Sequence, residues 1–231
     1  MDDVVSCPCD THPGLVIFSY PLPHLKAALQ GRQKIRIVAI GSSSTAGVAP
    51  VLPYPPRLEM LLREKYHGLM IDVINRGISG QEASDELLRF QSDVFDEKPA
   101  LVIWQIGTNA IFHDNNRAEV AAAVESGLVR LAGLPADVVL MDMQYTQAMV
   151  DKLEASEDML SRISIAAEKA KVNVFSRFAL MRRWVDDHVA QIGDLEDGAD
   201  SHLHTGEWAT NCVTKALGEA IALAAGAAGT T

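Results

Sequence analysis

Five short runs of β-branched and aliphatic residues alternate along this chain with segments of ten or more residues whose apolar positions recur at helical spacing, and few folds accept that order. The runs fall at residues 35–40, 70–74, 100–106, 137–141 and 172–175. Helical spacing is found at 57–66, 82–95, 117–131, 153–170, 178–189 and 207–225. A crossover of that length joins parallel strands, and helices then cover both faces of the sheet. The expected class is α/β: a three-layer α/β/α sandwich, flavodoxin-like, around a central and mainly parallel five-stranded sheet. Ile35–Ile40, almost continuous in Ile, Val and Ala, reads as a strand buried on both sides, with Lys34 and Arg36 near its solvent end. At 231 residues and 48% hydrophobic content, the chain can bury one such core. Residues 1–33, with Pro8, Pro13, Pro21 and Pro23 and little periodicity, read as an extended arm packing on the domain, with a short helical turn around 24–30. The domain is expected over 34–225 and a flexible tail over 226–231.

A formal net charge of −10 argues against a nucleic-acid partner, which would draw on clustered Lys and Arg. No run approaches the ~20 apolar residues of a membrane span, and the start lacks the basic-then-apolar order of a secretion leader. Met1-Asp2-Asp3 resembles a start left where such a leader was removed. Cys7 and Cys9 precede the domain and Cys212 lies in the last helical segment, so a bridge from Cys7 or Cys9 to Cys212 would tie the arm down. That bridge points to a periplasmic or secreted protein; three unpaired thiols in the cytoplasm is the alternative.

Three glycine-punctuated loops follow the first three strand runs: Gly41-Ser42-Ser43-Ser44-Thr45, Gly77-Ile78-Ser79-Gly80 and Gly107-Thr108-Asn109. In a parallel sheet all three reach the same rim, where such folds bind ligands. Asp200-Ser201-His202-Leu203-His204, just before the last helix, returns past that rim. A hydroxyl, a base, an acid to orient the base and N–H donors for an oxyanion are what acyl transfer requires, and all four occur in these loops. Two other readings compete. Asp194, Glu196, Asp197, Asp200, His202 and His204 could ligate zinc or manganese, with activity then lost to a chelator. The serine loop could instead cradle a phosphorylated ligand without chemistry, although it lacks the Gly-Lys-Ser/Thr ending of a P-loop.

In these motifs, in their order and between these elements, the chain resembles the SGNH (GDSL-like) hydrolases, and in particular small bacterial esterases whose first block reads Gly-Ser-Ser-Ser-Thr. The resemblance runs from about Lys34 to Ile221. It implies a serine nucleophile at Ser43, an oxyanion hole from the N–H groups of Ser43 and Gly80 and the side chain of Asn109, and hydrolysis of carboxylic esters without metal or cofactor. Gly77 is expected to serve the turn of the second loop. The substrate class is a small-molecule or saccharide ester: a short-chain acyl or acetyl ester, or alternatively an O-acetylated polysaccharide or cell wall. A catalytically weak relative that binds a ligand is the further alternative. The last block departs from the family's Asp-x-x-His, since Asp200 and His204 are separated by three residues. His204 is the expected base with Asp200 as its acid, because Thr205-Gly206-Glu207-Trp208-Ala209 matches the run after the family's catalytic histidine; His202 is the rival base.

Overall fold

Strand β3 (Leu101–Gln105) is buried along its whole length because it is the middle strand of a five-stranded sheet. The computed structural model describes residues 9–31, 34–199 and 201–226. Its sheet has the order β2 (Ile71–Gly77), β1 (Ile35–Gly41), β3, β4 (Asp137–Met141), β5 (Asn173–Phe175), and every pairing is parallel. Helices α1 (Pro13–Val16) and α2 (Pro23–Gly31) precede it. α3 (Ser43–Ala46) and α4 (Tyr54–Lys65) join β1 to β2, and α5 (Ala83–Leu88) with a π-helical turn at Gln91–Phe95 joins β2 to β3. α6 (Thr108–Phe112) and α7 (Arg117–Leu131) follow β3, and α8 (Gln147–Val150) and α9 (Leu153–Ala170) follow β4. α10 (Arg177–Asp186), a 3-10 turn at Ile192–Leu195 and α11 (Glu207–Ala224) come after β5. The protein is a three-layer α/β/α sandwich.

The layers follow from the alternation of side chains along each strand. Ile35, Ile37 and Ala39 of β1 pack with Leu58 of α4, Trp184 of α10 and Leu217 of α11. Val38 and Ile40 face the other way, into Phe90, Val124 of α7 and Ile163 of α9. The helical spacing over 82–95 predicts one helix, whereas α5 stops at Leu88 and resumes as the π turn. The break falls at Arg89, whose guanidinium turns back to the rim described below.

The amino-terminal segment has more structure than an extended arm. Its helix α2 runs the length of Pro23–Gly31, and buried polar groups of the sheet bind its backbone: Leu25 N–H donates to Asp137 Oδ2 at 2.8 Å and Tyr20 N–H to Asn173 Oδ1 at 2.9 Å. Leu22 N–H reaches the Ala224 carbonyl at 3.1 Å, and the Trp184 indole donates to the Asp10 carbonyl. A Cys9–Cys212 disulfide, with 5.5 Å between the Cα atoms, joins the segment to α11; Cys7 lies outside the described residues. The bridge spans 203 residues of sequence. A native disulfide typically contributes about 2–4 kcal/mol. At roughly 2–4 °C per kcal/mol for a chain of this size, Cys9→Ser is expected to lower Tm by roughly 4–16 °C. A Tm unchanged after thiol counting proves the bridge open would mean that packing and backbone hydrogen bonds alone hold the segment.

Candidate active site

The order β2-β1-β3 reverses direction between β1 and β3, so a crevice opens where the loops after these two strands part. Register makes the strand ends level there: Gly41 pairs with Gly77, and Ile40 with Trp104. The second loop approaches so closely that a Cβ at Gly77 would run into the backbone of Ala46. Gly77 is therefore required by close packing of β2 on α3, and its role in a turn, expected from the sequence, is not the reason for its size.

The three serines have three different surroundings. Ser42 gives both its N–H (3.1 Å) and its hydroxyl (3.0 Å) to Gln105 Oε1, which also accepts from Thr45 Oγ1. Ser44 Oγ is directed to the Gln144 side chain at 3.4 Å. Ser43 opens α3, and its Oγ lies 2.9 Å from His204 Nε2. A serine hydroxyl that donates to Nε2 requires the histidine proton on Nδ1.

That Nδ1 faces Asp197, whose Oδ2 is 3.9 Å away, longer than a hydrogen bond but close enough for charge attraction. The geometry comes from a hairpin. Glu196 bridges Thr205 in antiparallel fashion, Asp197 N–H donates to the His204 carbonyl at 3.1 Å, and Gly206 N–H to the Leu195 carbonyl at 2.9 Å. Asp197 and His204 are thus cross-strand neighbours. The Asp197 carboxylate is nearly buried, at 7% exposed, and its Oδ1 accepts from Ala199 N–H. Burial holds the His204 pKa below the ordinary histidine value, and the Asp197 charge opposes part of that shift. Asp200, the acid expected from the sequence, lies outside the described residues. His202, the rival base, has its ring 58% exposed, with Nδ1 2.7 Å from Glu196 Oε2. Glu196 itself is buried and also accepts from Gln147 N–H. Among the described residues no three His, Cys, Asp or Glu side chains converge as a metal-binding group.

On the loop after β3, Asn109 sits in the first turn of α6 and is 4% exposed. Its N-cap, Gly107, has φ +92°, which a side chain would strain. Asn109 Nδ2 donates to the Gln81 carbonyl at 2.8 Å, tying the third loop to the second. Gly80 turns with φ +79°, and among the described residues no acceptor meets its N–H. Arg89 braces this side: Nε binds the Gln81 side chain at 2.7 Å, Nη1 the Arg76 carbonyl at 2.6 Å and Nη2 the Gly41 carbonyl at 3.3 Å. Beside Ser43 and His204 is a recess of about 20 Å³, walled by Gly47, Val48, Val51, Pro53 and Thr210.

Ser43 and His204 are brought together, while Asn109 and Gly80 stand on neighbouring loops of the same rim. Asp197 is the residue that the sequence motif did not single out for the base, because nothing in the chain announces the Leu195–Gly206 hairpin that pairs the two.

A profile of the Non-GDSL lipase-like family matches residues 8–227. An uncharacterized lipoprotein of Bacillus subtilis, YqeF, is 35% identical over 96 residues; the match covers 40% of this chain and 39% of that protein, so the chain spans about two fifths of that relative's length. Among solved structures, Axe2, an acetylxylan esterase from Geobacillus stearothermophilus, superposes with a TM-score of 0.68 at 20% identity, covering 85% of this chain and 96% of that one. LAE5, an alpha/beta hydrolase from the metagenome of Lake Arreo, superposes with a TM-score of 0.65 at 19% identity over 84% of this chain and 97% of that one. At these identities the superpositions show a shared fold.

Proposed function

The chain belongs to the Non-GDSL lipase-like family and is by class a carboxylic ester hydrolase, and on that premise we propose that it cleaves short-chain acyl esters through an acyl-enzyme on Ser43. The observation that carries this reading is the 2.9 Å approach of Ser43 Oγ to His204 Nε2. His204 takes the Ser43 proton as Oγ attacks the ester carbonyl. The N–H groups of Ser43 and Gly80 and the side-chain amide of Asn109 receive the developing oxyanion. The tetrahedral species collapses by breaking the bond to the alcohol oxygen, which leaves with the proton held by His204. Water, deprotonated by His204, then attacks the acyl carbonyl and restores Ser43. Asp197 keeps the His204 proton on Nδ1 and balances the imidazolium that forms. No metal or cofactor enters these steps. The SGNH resemblance of the four blocks supports the same assignment of roles.

Several observations favour an acetyl or similarly short acyl group. The recess beside Ser43 is narrow and walled by Val48, Val51 and Pro53, which favours a short acyl group over a long one. Axe2, whose fold the chain shares, is described as an acetylxylan esterase, and we take acetyl esters on a saccharide as the substrate class to test first. The Cys9–Cys212 disulfide favours an oxidising, extracytoplasmic compartment, where such esters occur on polymers.

The test is labelling with a small fluorophosphonate, read by intact mass and peptide mapping. One adduct, on Ser43, is the expected result. Folded protein that takes no label, or takes it on another residue, would end the acyl-enzyme reading. Removing one oxyanion donor costs about 2.7–4 kcal/mol, so Asn109→Ala is expected to lower kcat on the order of a hundredfold or more. Turnover near that of the unaltered protein would take Asn109 out of the mechanism.

A further inference from the structure

The segment after β4 reaches the same rim as the other loops but carries no catalytic signature. Asp142, Gln144 and Thr146 alternate along it and all three are buried, where an apolar residue would be expected. Gln144 is fully buried, and its amide touches the serine loop, the loop of Asn109 and the histidine segment. Oε1 accepts from Thr108 Oγ1 at 2.9 Å, next to Asn109, and from Ser44 Oγ at 3.4 Å, next to Ser43. Nε2 donates to the Leu203 carbonyl at 2.8 Å, next to His204. Only one amide orientation satisfies these partners, because a carbonyl oxygen cannot donate to another.

A buried cation fixes that orientation from below. Arg177 donates through Nη2 to Gln144 Oε1 at 2.8 Å and through Nε to the Asp142 carbonyl at 3.0 Å. Its side chain is as buried as the amide it holds. A guanidinium on Oε1 polarises the amide and strengthens the Nε2 donor on its far side. The Asp142 carboxyl accepts from Phe178 N–H at 2.9 Å, pinning the start of α10, which carries Arg177. The chain of contacts runs from α10 through one amide to the nucleophile, the oxyanion side and the base.

We propose that Gln144 is a positioning residue that sets the relative placement of Ser43, Asn109 and His204, with Arg177 holding its amide in place. The proposal rests on the acyl-enzyme reading above. A misplacement of about 1 Å at reacting atoms costs on the order of a hundredfold in rate, so the effect falls on chemistry rather than on substrate capture. Gln144→Glu keeps the shape and the acceptor for Thr108 and Arg177, adds a charge that Arg177 balances, and sets an oxygen against the Leu203 carbonyl, so the disturbance falls mainly on the histidine loop. Gln144→Leu removes every contact.

The experiment compares both variants with the unaltered protein in three measurements: kcat and KM for an aryl acetate, the rate of Ser43 labelling by a fluorophosphonate, and Tm. For Gln144→Glu we expect kcat and labelling rate each lowered about ten- to a hundredfold, KM within about threefold, and Tm within a few degrees. Gln144→Leu is expected to lose more of both rates. Folded variants whose two rates stay within about twofold would overturn the proposal, as would a change confined to KM. Loss of folding in both variants would also overturn it, since Gln144 would then be needed for the fold and not for placement. An unaltered protein that neither turns over nor labels would instead remove the acyl-enzyme reading on which the proposal stands.

Discussion

Ser43→Ala is expected to reduce ester turnover on the order of 10⁴–10⁶-fold while the protein stays folded with Tm within a few degrees. The magnitude follows from the role: without Oγ there is no acyl-enzyme, and what remains is direct attack by water assisted by His204 and the oxyanion donors. The small stability change follows from the contacts. Ser43 Oγ bonds the half-buried His204, and a single hydrogen bond of this kind contributes about 0.5–1.5 kcal/mol. Its neighbours serve as internal controls. Ser42→Ala loses the hydroxyl contact to Gln105, and Ser44→Ala the long contact to Gln144, so both are expected to keep the fluorophosphonate adduct on Ser43. Turnover of Ser43→Ala above about one per cent of the unaltered protein, measured with an aryl acetate after removing contaminating esterase, would assign the nucleophile elsewhere.

His204→Ala is expected to cost a similar factor, and the pH dependence separates its role from packing. The neutral imidazole is the base, so kcat/KM falls as pH drops through the His204 pKa. Burial holds that pKa below the ordinary histidine value, and the acid limb is therefore expected below pH ~6.5, with activity retained in mildly acidic buffer. The Asp197 charge works in the opposite direction. Asp197→Asn removes it, so the limb is expected to move to still lower pH while the plateau rate falls by about a hundredfold or more, because the Nδ1 proton loses its partner. Asp200→Asn is the comparison that decides between the two acids. If Asp200→Asn shifts the limb and depresses the plateau while Asp197→Asn leaves both in place, the pairing of His204 with Asp197 does not operate in the working enzyme. A limb above pH 7 in the unaltered protein would show that charge, and not burial, dominates at His204.

Much of the protein is written in its order of residue types. The alternation of β-branched runs with helical segments determines a parallel sheet covered on both faces, because a parallel pair needs a crossover and the crossover must bury its apolar side. Gly41, Gly77 and Gly107 then mark the strand ends, and the loops after them, with the segment before the last helix, single out Ser43, Asn109 and His204 as candidates. The strand order is not written in the same way. The reversal between β1 and β3 that opens the crevice is a choice among topologies with similar local sequence.

What only the tertiary structure decided are contacts made between residues whose spacing follows no element period. Asp197 meets His204 across seven positions because a hairpin folds Glu196 onto Thr205, with no helix among the described residues between them to bring the two onto one face. Cys9 meets Cys212 across 203 residues. Arg89 breaks an otherwise helical stretch to brace carbonyls of Gly41 and Arg76, and Gln144 gathers Thr108, Ser44 and Leu203 onto one amide. Glutamine and arginine have no local signature for such work: their polar groups are satisfied by water when exposed, and only burial at a shared rim turns them into fixed partners. The sequence determined the sheet, its rim and the candidate residues on it, while only the packed chain could bring Asp197 beside His204 and gather the rim segments onto Gln144.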